Sequence, residues 1–300
     1  MRISFKAILN YVYIRYIKQN ILIHQIQETK RECVCEDKIN IAISTNNTFI
    51  EQTLVFMLSL ENVCCKVNLH VLNINLSDDT IKKIKYNCPK NVNLNIINID
   101  SSRLEDLKIS EKWPMEAWAR VLIPELIDEK YVLYADVDCV VVDNIVDLLK
   151  YKEYLLSGVR STYYYNEHHI ENGINSGIIL MNCMKLRDFN FFDKIITYAK
   201  ENKDKLVMPD QDTINAVCSE HIYNIPLKYN VMNFIFANTS ELIMKKIRAA
   251  YYDKEQYRAA LFSPVIIHFN GGPFARPWQR KRLKHPYYKV YNYYKNKISN

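Results

Sequence analysis

The sequence predicts an α/β domain built on a mostly parallel sheet with helices on both faces, and three observations carry that prediction. Short apolar runs alternate with helical segments along most of the chain. An apolar fraction of 49% over 300 residues is enough to bury one large core. Only five glycines occur, and neither GxGxxG nor GxxxxGK[ST] is present, which disfavours dinucleotide-binding and P-loop folds.

The first apolar run is Ile39–Thr45, and a helix is expected from Phe49 to Leu60. Val67–Ile74 reads as the second strand. Ser77 then caps a helix through Tyr86, because its hydroxyl accepts from a first-turn amide while Asp78 and Asp79 complement the positive helix end. Pro89 ends that segment, and Val92–Ile99 alternates as a third strand. Trp113–Ile127 has helical apolar spacing broken by Pro124. Tyr131–Ala135 is a short buried strand running straight into Asp136. Leu155–Val159 and Gly177–Met181 are further strands, a helix covers Asp188 to Glu201, and Pro264–Phe269 is a late strand carrying His268 near its end. With no repeat or clear linker, the chain reads as one body over 37–278, an amphipathic helical extension over 1–36 and a basic, tyrosine-rich tail over 279–300.

The formal charge of +7 is concentrated at the ends: Gly271–Asn300 holds eight Lys or Arg and no acid, Met1–Glu32 contributes +4, and the stretch between is left with −5. Such a distribution points to docking on an anionic surface rather than to nucleic acid. The C-terminal segment also holds Phe274, Trp278, Tyr287, Tyr288, Tyr291, Tyr293 and Tyr294, and cations interleaved with aromatic rings suit an anionic membrane surface. At the other end, Ile3–Ile26 is interrupted by Lys6, Arg15 and Lys18 and is too broken to span a membrane. An amphipathic helix packed on the body is expected there, with a membrane-lying helix as the alternative. Eight cysteines without a CxxC pair indicate a reducing compartment. The resulting placement is cytoplasmic, peripheral at the inner face of the membrane.

The sharpest chemical signal is Tyr131-Val-Leu-Tyr-Ala-Asp136-Val-Asp138. In extended backbone two carboxylates at i and i+2 point to the same side, so both can address one cation at a strand's carboxyl end, where open α/β sheets place ligands. An isolated Asp-x-Asp more often just ends a strand, but apolar runs on both sides make ionised carboxylates costly without a partner. Asn175-Ser176-Gly177 ahead of an apolar strand offers amide and hydroxyl groups suited to sugar hydroxyls, although alone it is an ordinary turn. Asp210-Gln211-Asp212 opens a helix and has a simpler reading as its cap. His268 ends a strand as Asp136 does, and Gly271, Gly272 and Arg276 follow in a loop that allows close backbone approach and pairing with phosphate.

In order and approximate spacing, Asn40–Asn47, Trp118-Ala-Arg120, Asp136-Val-Asp138, Asn175-Ser-Gly177, Asp210-Gln211-Asp212 and His268…Arg276-Pro-Trp278 resemble glycosyltransferase family 8, which includes bacterial lipopolysaccharide galactosyl- and glucosyltransferases and the glycogenins. The resemblance spans Ile39 to Trp278. It implies a GT-A fold, a UDP-hexose donor, a glycan or glycolipid acceptor, Mn²⁺ or Mg²⁺, and retention of anomeric configuration. It also implies Asp136, Asp138 and His268 as metal ligands, Arg120, Asn175 and Ser176 at the donor sugar, Asp210 on its hydroxyls and Gln211 on its reacting face. Gly271 and Arg276 fall at the diphosphate, Val137 among the other donor-binding residues, and Ser44, Thr45 and Asn46 at the nucleoside. The sequence departs from the family where Asn46 replaces the usual Asp, where Thr48-Phe49 replaces Asn-Tyr, near Ser161, where many relatives have a sugar-contacting Asp, and where Arg276 replaces Lys in a longer loop.

Two other readings stand beside this one. Asp136-Val-Asp138-Cys-Val also fits the DxDx[TV] pattern of haloacid-dehalogenase-like phosphatases, whose first Asp is a nucleophile. The motif's late position and the His268 loop argue against it. A non-catalytic sugar- or nucleotide-binding protein is the second, and the intact Asp-Asp-His set counts against that.

Overall fold

A computed structural model describes residues 4–28, 38–107, 114–162, 172–247, 251–280 and 283–299. Cys33, Cys35 and Trp113 lie outside these. In chain order the strands are β1 (Lys38–Thr45), β2 (Lys66–Asn73), β3 (Val92–Asn98), β4 (Tyr131–Ala135), β5 (Cys139–Val141), β6 (Leu156–Arg160), β7 (Ile174–Asn182), β8 (Ile222–Asn224), β9 (Val231–Met232) and β10 (Ile266–His268). Among the described residues, seven of them form one sheet in the order β3-β2-β1-β4-β7-β6-β8, in which β7 alone runs antiparallel to its neighbours. The other three form a small sheet, β5-β10-β9.

The apolar runs are continuous because the central strands are buried on both faces. Ile41, Ile43, Leu133, Ala135, Ile178 and Leu180 point into one core, while Ala42, Val132, Tyr134, Ile179 and Met181 point into the other. The helix Ile50–Ser59 and the small sheet cover the first face. Segments around Trp118–Ile123, together with the helices Phe191–Glu201 and Pro209–Cys218, cover the second. Ser77 caps its helix as expected, accepting from Thr80 N at 3.3 Å.

Three expectations need correction. The strand expected over Tyr131–Ala135 is β4, but the backbone does not stay extended through the two carboxylates: a turn occupies Val137–Asp138, and β5 starts at Cys139 in the second sheet. The helix expected over Asp188–Glu201 starts later, at Phe191, and a separate short helix, Cys183–Asp188, precedes it; between them Asn190 has a φ of 54°, a left-handed conformation that asparagine tolerates.

The third correction concerns the C-terminal segment. The helix Tyr288–Lys295 turns most of its aromatic rings inward: Tyr287, Val290, Tyr291 and Tyr294 are buried with the first core, while Tyr288 and Tyr293 are half-buried. Tyr287 OH donates to Leu261 O at 2.8 Å, Tyr291 OH pairs with Glu51 Oε1 at 2.9 Å, and Tyr294 OH meets Asn62 Nδ2. The cations are partly paired as well, Lys295 with Glu51 and Lys297 with Glu61. The helix running from Phe5 to Glu28, α-helical at both ends with a π turn at Ile14–Lys18, lies against this segment. Gln19 Oε1 accepts from Lys289 N at 3.1 Å, and the Arg15 guanidinium sits 3.6 Å from the Tyr288 ring centroid. No helix among the described residues is long and apolar enough to cross a membrane.

Candidate active site

A cleft of about 740 Å³ opens at the ends of the central strands of the main sheet, where β1 and β4 end and the antiparallel β7 begins. Its lining includes Ser44, Thr45 and Asn46 from the end of β1, Asp136, Val137 and Asp138 from the β4–β5 turn, and Asn175 and Ser176 from the start of β7. Arg120, Asp210, Gln211, His268, Gly271 and Arg276 complete the set, so every site residue expected from the sequence lines this one cleft. A smaller cavity of about 150 Å³, around Lys38 and Tyr131, sits at the opposite strand ends and holds no carboxylate.

The β4–β5 turn sets the geometry. Asp136 N donates to Gly177 O at 2.8 Å and Phe269 N donates to Asp138 O at 2.8 Å, so the turn is stitched to β7 on one side and to the end of β10 on the other. Cys139 lies opposite His268 in the β5–β10 pairing. His268 Nε2 therefore stands 3.0 Å from Asp138 Oδ1 and 3.8 Å from Asp136 Oδ2. Gly177 leaves the room: a Cβ there would lie 2.3 Å from His268 Cε1 and 2.7 Å from Asp136 Oδ2.

Two backbone amides determine which atoms face the centre. Gly177 N donates to Asn175 Oδ1 at 3.2 Å, which fixes that atom as oxygen. Asn230 must then present Nδ2 to it, at 2.8 Å, and its Oδ1 to His268 Nδ1, at 2.9 Å. His268 consequently donates from Nδ1 to Asn230 and turns Nε2 towards the two carboxylates. Ser176 N likewise donates to Gln211 Oε1 at 2.8 Å, and Asn175 Nδ2 donates to the same oxygen at 2.8 Å. A chain of oriented amides thus joins His268 to Gln211 through Asn230 and Asn175. Asn230 is fully buried and was not legible as a site residue in the sequence.

Asp136 Oδ2, Asp138 Oδ1 and His268 Nε2 converge on one point of the cleft. That set suits a hard or borderline divalent cation bound by oxygen and imidazole, and the residues fit one. Burial alone would raise the Asp138 carboxyl, but His268 and Arg276 outweigh it and hold its pKa below the ordinary value. Cys139 Sγ lies in the same group, with the Asp138 and His268 ligand atoms all within 4.8 Å of one another. Its thiol is softer than such a cation prefers, and burial followed by the Asp138 and Asp136 charges pushes its pKa far up.

Arg120 occupies the floor rather than reaching outward. Its Nη2 pairs with Asp136 Oδ1 at 3.0 Å, its Nε lies 3.4 Å from Asp210 Oδ2, and its Nη1 donates to Ser176 O at 2.6 Å. Burial opposes its charge, yet Asp136, Tyr134 and Asp210 keep it protonated above its ordinary range. Tyr134 OH adds a 2.8 Å hydrogen bond to Asp136 Oδ1, a second contact absent from the sequence reading. Asp210 is held by Ser176 Oγ at 3.2 Å, and burial, with Asp136 adding to it, raises its carboxyl despite Arg120. Asp212, by contrast, is a cap: its Oδ2 accepts from Val207 N and Met208 N. Asn46 also caps, its Oδ1 accepting from Thr48 N and Phe49 N. Ser44 Oγ is buried without a hydrogen-bond partner beside it.

Residues 40–282 match the family model for glycosyl transferase family 8. The chain belongs to that family. It is a glycosyltransferase, and the phosphatase reading of Asp136-Val-Asp138 falls. Similar proteins include general stress protein A of Bacillus subtilis, 26% identical over 243 residues that cover 76% of this chain and 82% of that protein. Glycosyltransferase GlyF of Streptococcus pneumoniae is 22% identical over 55% of this chain, and the match spans 42% of GlyF, less than half of its length. Among solved structures, galactosyltransferase LgtC in complex with donor and acceptor sugar analogues superposes with a TM-score of 0.74 at 19% identity, covering 87% of this chain and 97% of LgtC. GlyE of Streptococcus pneumoniae gives 0.62 at 18% identity, covering 86% and 60%. The fold is therefore the GT-A type.

Proposed function

We propose that the chain transfers glucose or galactose from a UDP-sugar to a glycan or glycolipid acceptor, with retention, in cell-surface polysaccharide or lipopolysaccharide synthesis. The observation that carries this reading is the convergence of Asp136, Asp138 and His268 in the cleft that also holds Asp210, Gln211 and Arg276. Mn²⁺ or Mg²⁺ held by Asp136, Asp138 and His268 would neutralise negative charge growing on the leaving diphosphate. Arg276 supplies a further cation for the same oxygens, and the β1 end, with the unpartnered Ser44 hydroxyl, supplies the nucleoside side.

Breaking the sugar–phosphate bond leaves positive charge on the anomeric carbon. Gln211 is an amide and a poor nucleophile, and its oxygen is held by Ser176 N and Asn175 Nδ2. Front-face attack follows: the acceptor oxygen bonds to the anomeric carbon on the side the diphosphate leaves, and the leaving phosphate oxygen takes the acceptor's proton. Asp210, fixed through Arg120 and Ser176, holds the sugar hydroxyls, with Asn175 and Ser176 beside it. A reducing, cytoplasmic setting is supported by the six cysteines among the described residues, all free.

The test is a screen of nucleotide-sugar hydrolysis with Mn²⁺, repeated in chelator. UDP-glucose or UDP-galactose should turn over, GDP- and CMP-sugars much less, and chelator should stop the reaction. Full activity in chelator, or equal use of GDP-sugars, would overturn the metal or the uridine assignment respectively.

A further inference from the structure

Fourteen large apolar side chains stand exposed among the described residues, and eight of them belong to the one helix that starts at Phe5. Exposure on this scale is concentrated rather than scattered, which marks an interaction surface. Phe5, Leu9, Val12 and Tyr16, exposed by 75%, 53%, 45% and 67%, recur at i, i+4, i+7 and i+11 and form one stripe, with Ile8 beside it. The opposite side of the helix is spent on the body through Ala7, Ile14, Gln19 and Leu22.

The charges on the helix up to Gln27 and on the C-terminal segment beside it share one sign. No acid occurs from Ser4 to Gln27, where Lys6, Arg15 and Lys18 lie, and none from Gly271 to Asn300 in the segment packed alongside. Lys289 is exposed and reaches Asn20 Oδ1 at 3.2 Å, so its charge borders the same helix. A second copy laid on this face would bring like-charged flanks together. An anionic lipid surface matches both features, since the apolar stripe enters the acyl boundary while the flanking cations meet headgroup phosphates. The helix is also tied to the cleft: Tyr11 stacks on Phe274 at 4.9 Å and donates to Lys284 O at 2.9 Å, and Phe274 lies in the loop that carries Arg276 into the site.

We propose that this helix face, rather than the C-terminal aromatic residues, seats the protein on an anionic lipid surface with the mouth of the cleft held next to it. That a lipid-linked glycan is then the acceptor rests on the transfer reading above; the lipid binding does not. The test is sedimentation of the full chain with vesicles of phosphatidylcholine alone or mixed with phosphatidylglycerol, at low and high salt. The parent should bind the mixed vesicles, and less so as salt rises. Leu9→Ser, Val12→Ser and Tyr16→Ser together should lower partitioning by about tenfold or more. Lys6→Glu with Lys18→Glu should lower it several-fold, and UDP-sugar hydrolysis in solution should stay unchanged in both variants. Equal vesicle binding by the triple variant would overturn the proposal. So would a parent chain that ignores lipid but forms a dimer that the triple variant dissolves. Lipid binding without hydrolysis of any nucleotide sugar would instead sink the transfer reading and leave the surface assignment standing.

Discussion

The cleft and the C-terminal segment both bury polar side chains, yet for opposite reasons. In the cleft, Arg120, Asp210, Asn230 and His268 are buried in a network whose hydrogen bonds aim lone pairs and carboxylates at an open volume. In the C-terminal segment, Tyr287, Tyr291 and Tyr294 are buried so that their rings fill the core while each hydroxyl finds a partner on the body. Tyrosine does both jobs because it has an apolar body and a polar tip. Composition therefore cannot tell a tyrosine-rich interface from a tyrosine-rich core; only the register of buried positions, 287, 290, 291 and 294, makes the difference.

Removing the C-terminal segment is the harshest way to break that contrast. Truncation after Gln279 deletes four fully buried side chains from the first core, each large aromatic worth about 3–5 kcal/mol against a total stability of roughly 5–15 kcal/mol. The truncated chain should lose its cooperative thermal transition, and hydrolysis with it. A truncated protein melting with the parent would show that the segment is a dispensable tail after all. A milder version is Tyr291→Ala, expected to cost about 3–5 kcal/mol in denaturant unfolding, with Tyr291→Phe costing about 1 kcal/mol for the hydrogen bond to Glu51.

On the cleft side, Asn230→Ala removes the acceptor that holds His268 Nδ1–H. Because such partners orient a ligand without touching the ion, Mn²⁺ affinity should fall about 10–100-fold, read by calorimetric titration of folded protein. Unchanged affinity would mean that the β5–β10 pairing alone positions the imidazole.

A pH dependence also belongs to the C-terminal segment. His285 is fully buried between Phe236 and Phe269, with Nδ1 accepting from Tyr287 N and Nε2 unpartnered. Burial first, then Arg15, lowers its pKa to about 3. Between an unfolded value of about 6.5 and the folded one the unfolded chain binds the extra proton, so this stability is present above pH 6.5 and is lost as pH falls towards about 3. The melting temperature should drop across that window by roughly 1 kcal/mol per pH unit in stability terms, and His285→Gln should flatten the slope. Equal slopes would remove His285 as the cause.

Much of this architecture was legible because the chemistry sits at strand ends. Ile39–Thr45, Tyr131–Ala135 and the run after Asn175 are apolar on both faces, so they read as buried strands, and the polar residues where they meet the cleft stood out against them. What failed to show was short or irregular. β8 and β9 are three and two residues long, and the turn at Val137–Asp138 lies between two short apolar runs with no Gly or Pro to mark it. Asn230 sits in Lys-Tyr-Asn-Val-Met-Asn, where nothing but the fold brings it under His268. Roles were harder to read than positions: Asn46 and Asp212 spend their oxygens on capping, and Arg120 braces carboxylates.

The proposed transfer depends on one divalent cation held by Asp136, Asp138 and His268. Mn²⁺ titration of the parent and of Asp138→Ala, in the presence of UDP and beside hydrolysis measured on the same samples, tests it most directly. The parent should bind, the variant should lose roughly a hundredfold or more in affinity and a comparable or larger factor in hydrolysis, and both should melt within a few degrees of each other. An Asp138→Ala protein that binds Mn²⁺ like the parent, or hydrolyses donor at the parent's rate, would contradict it.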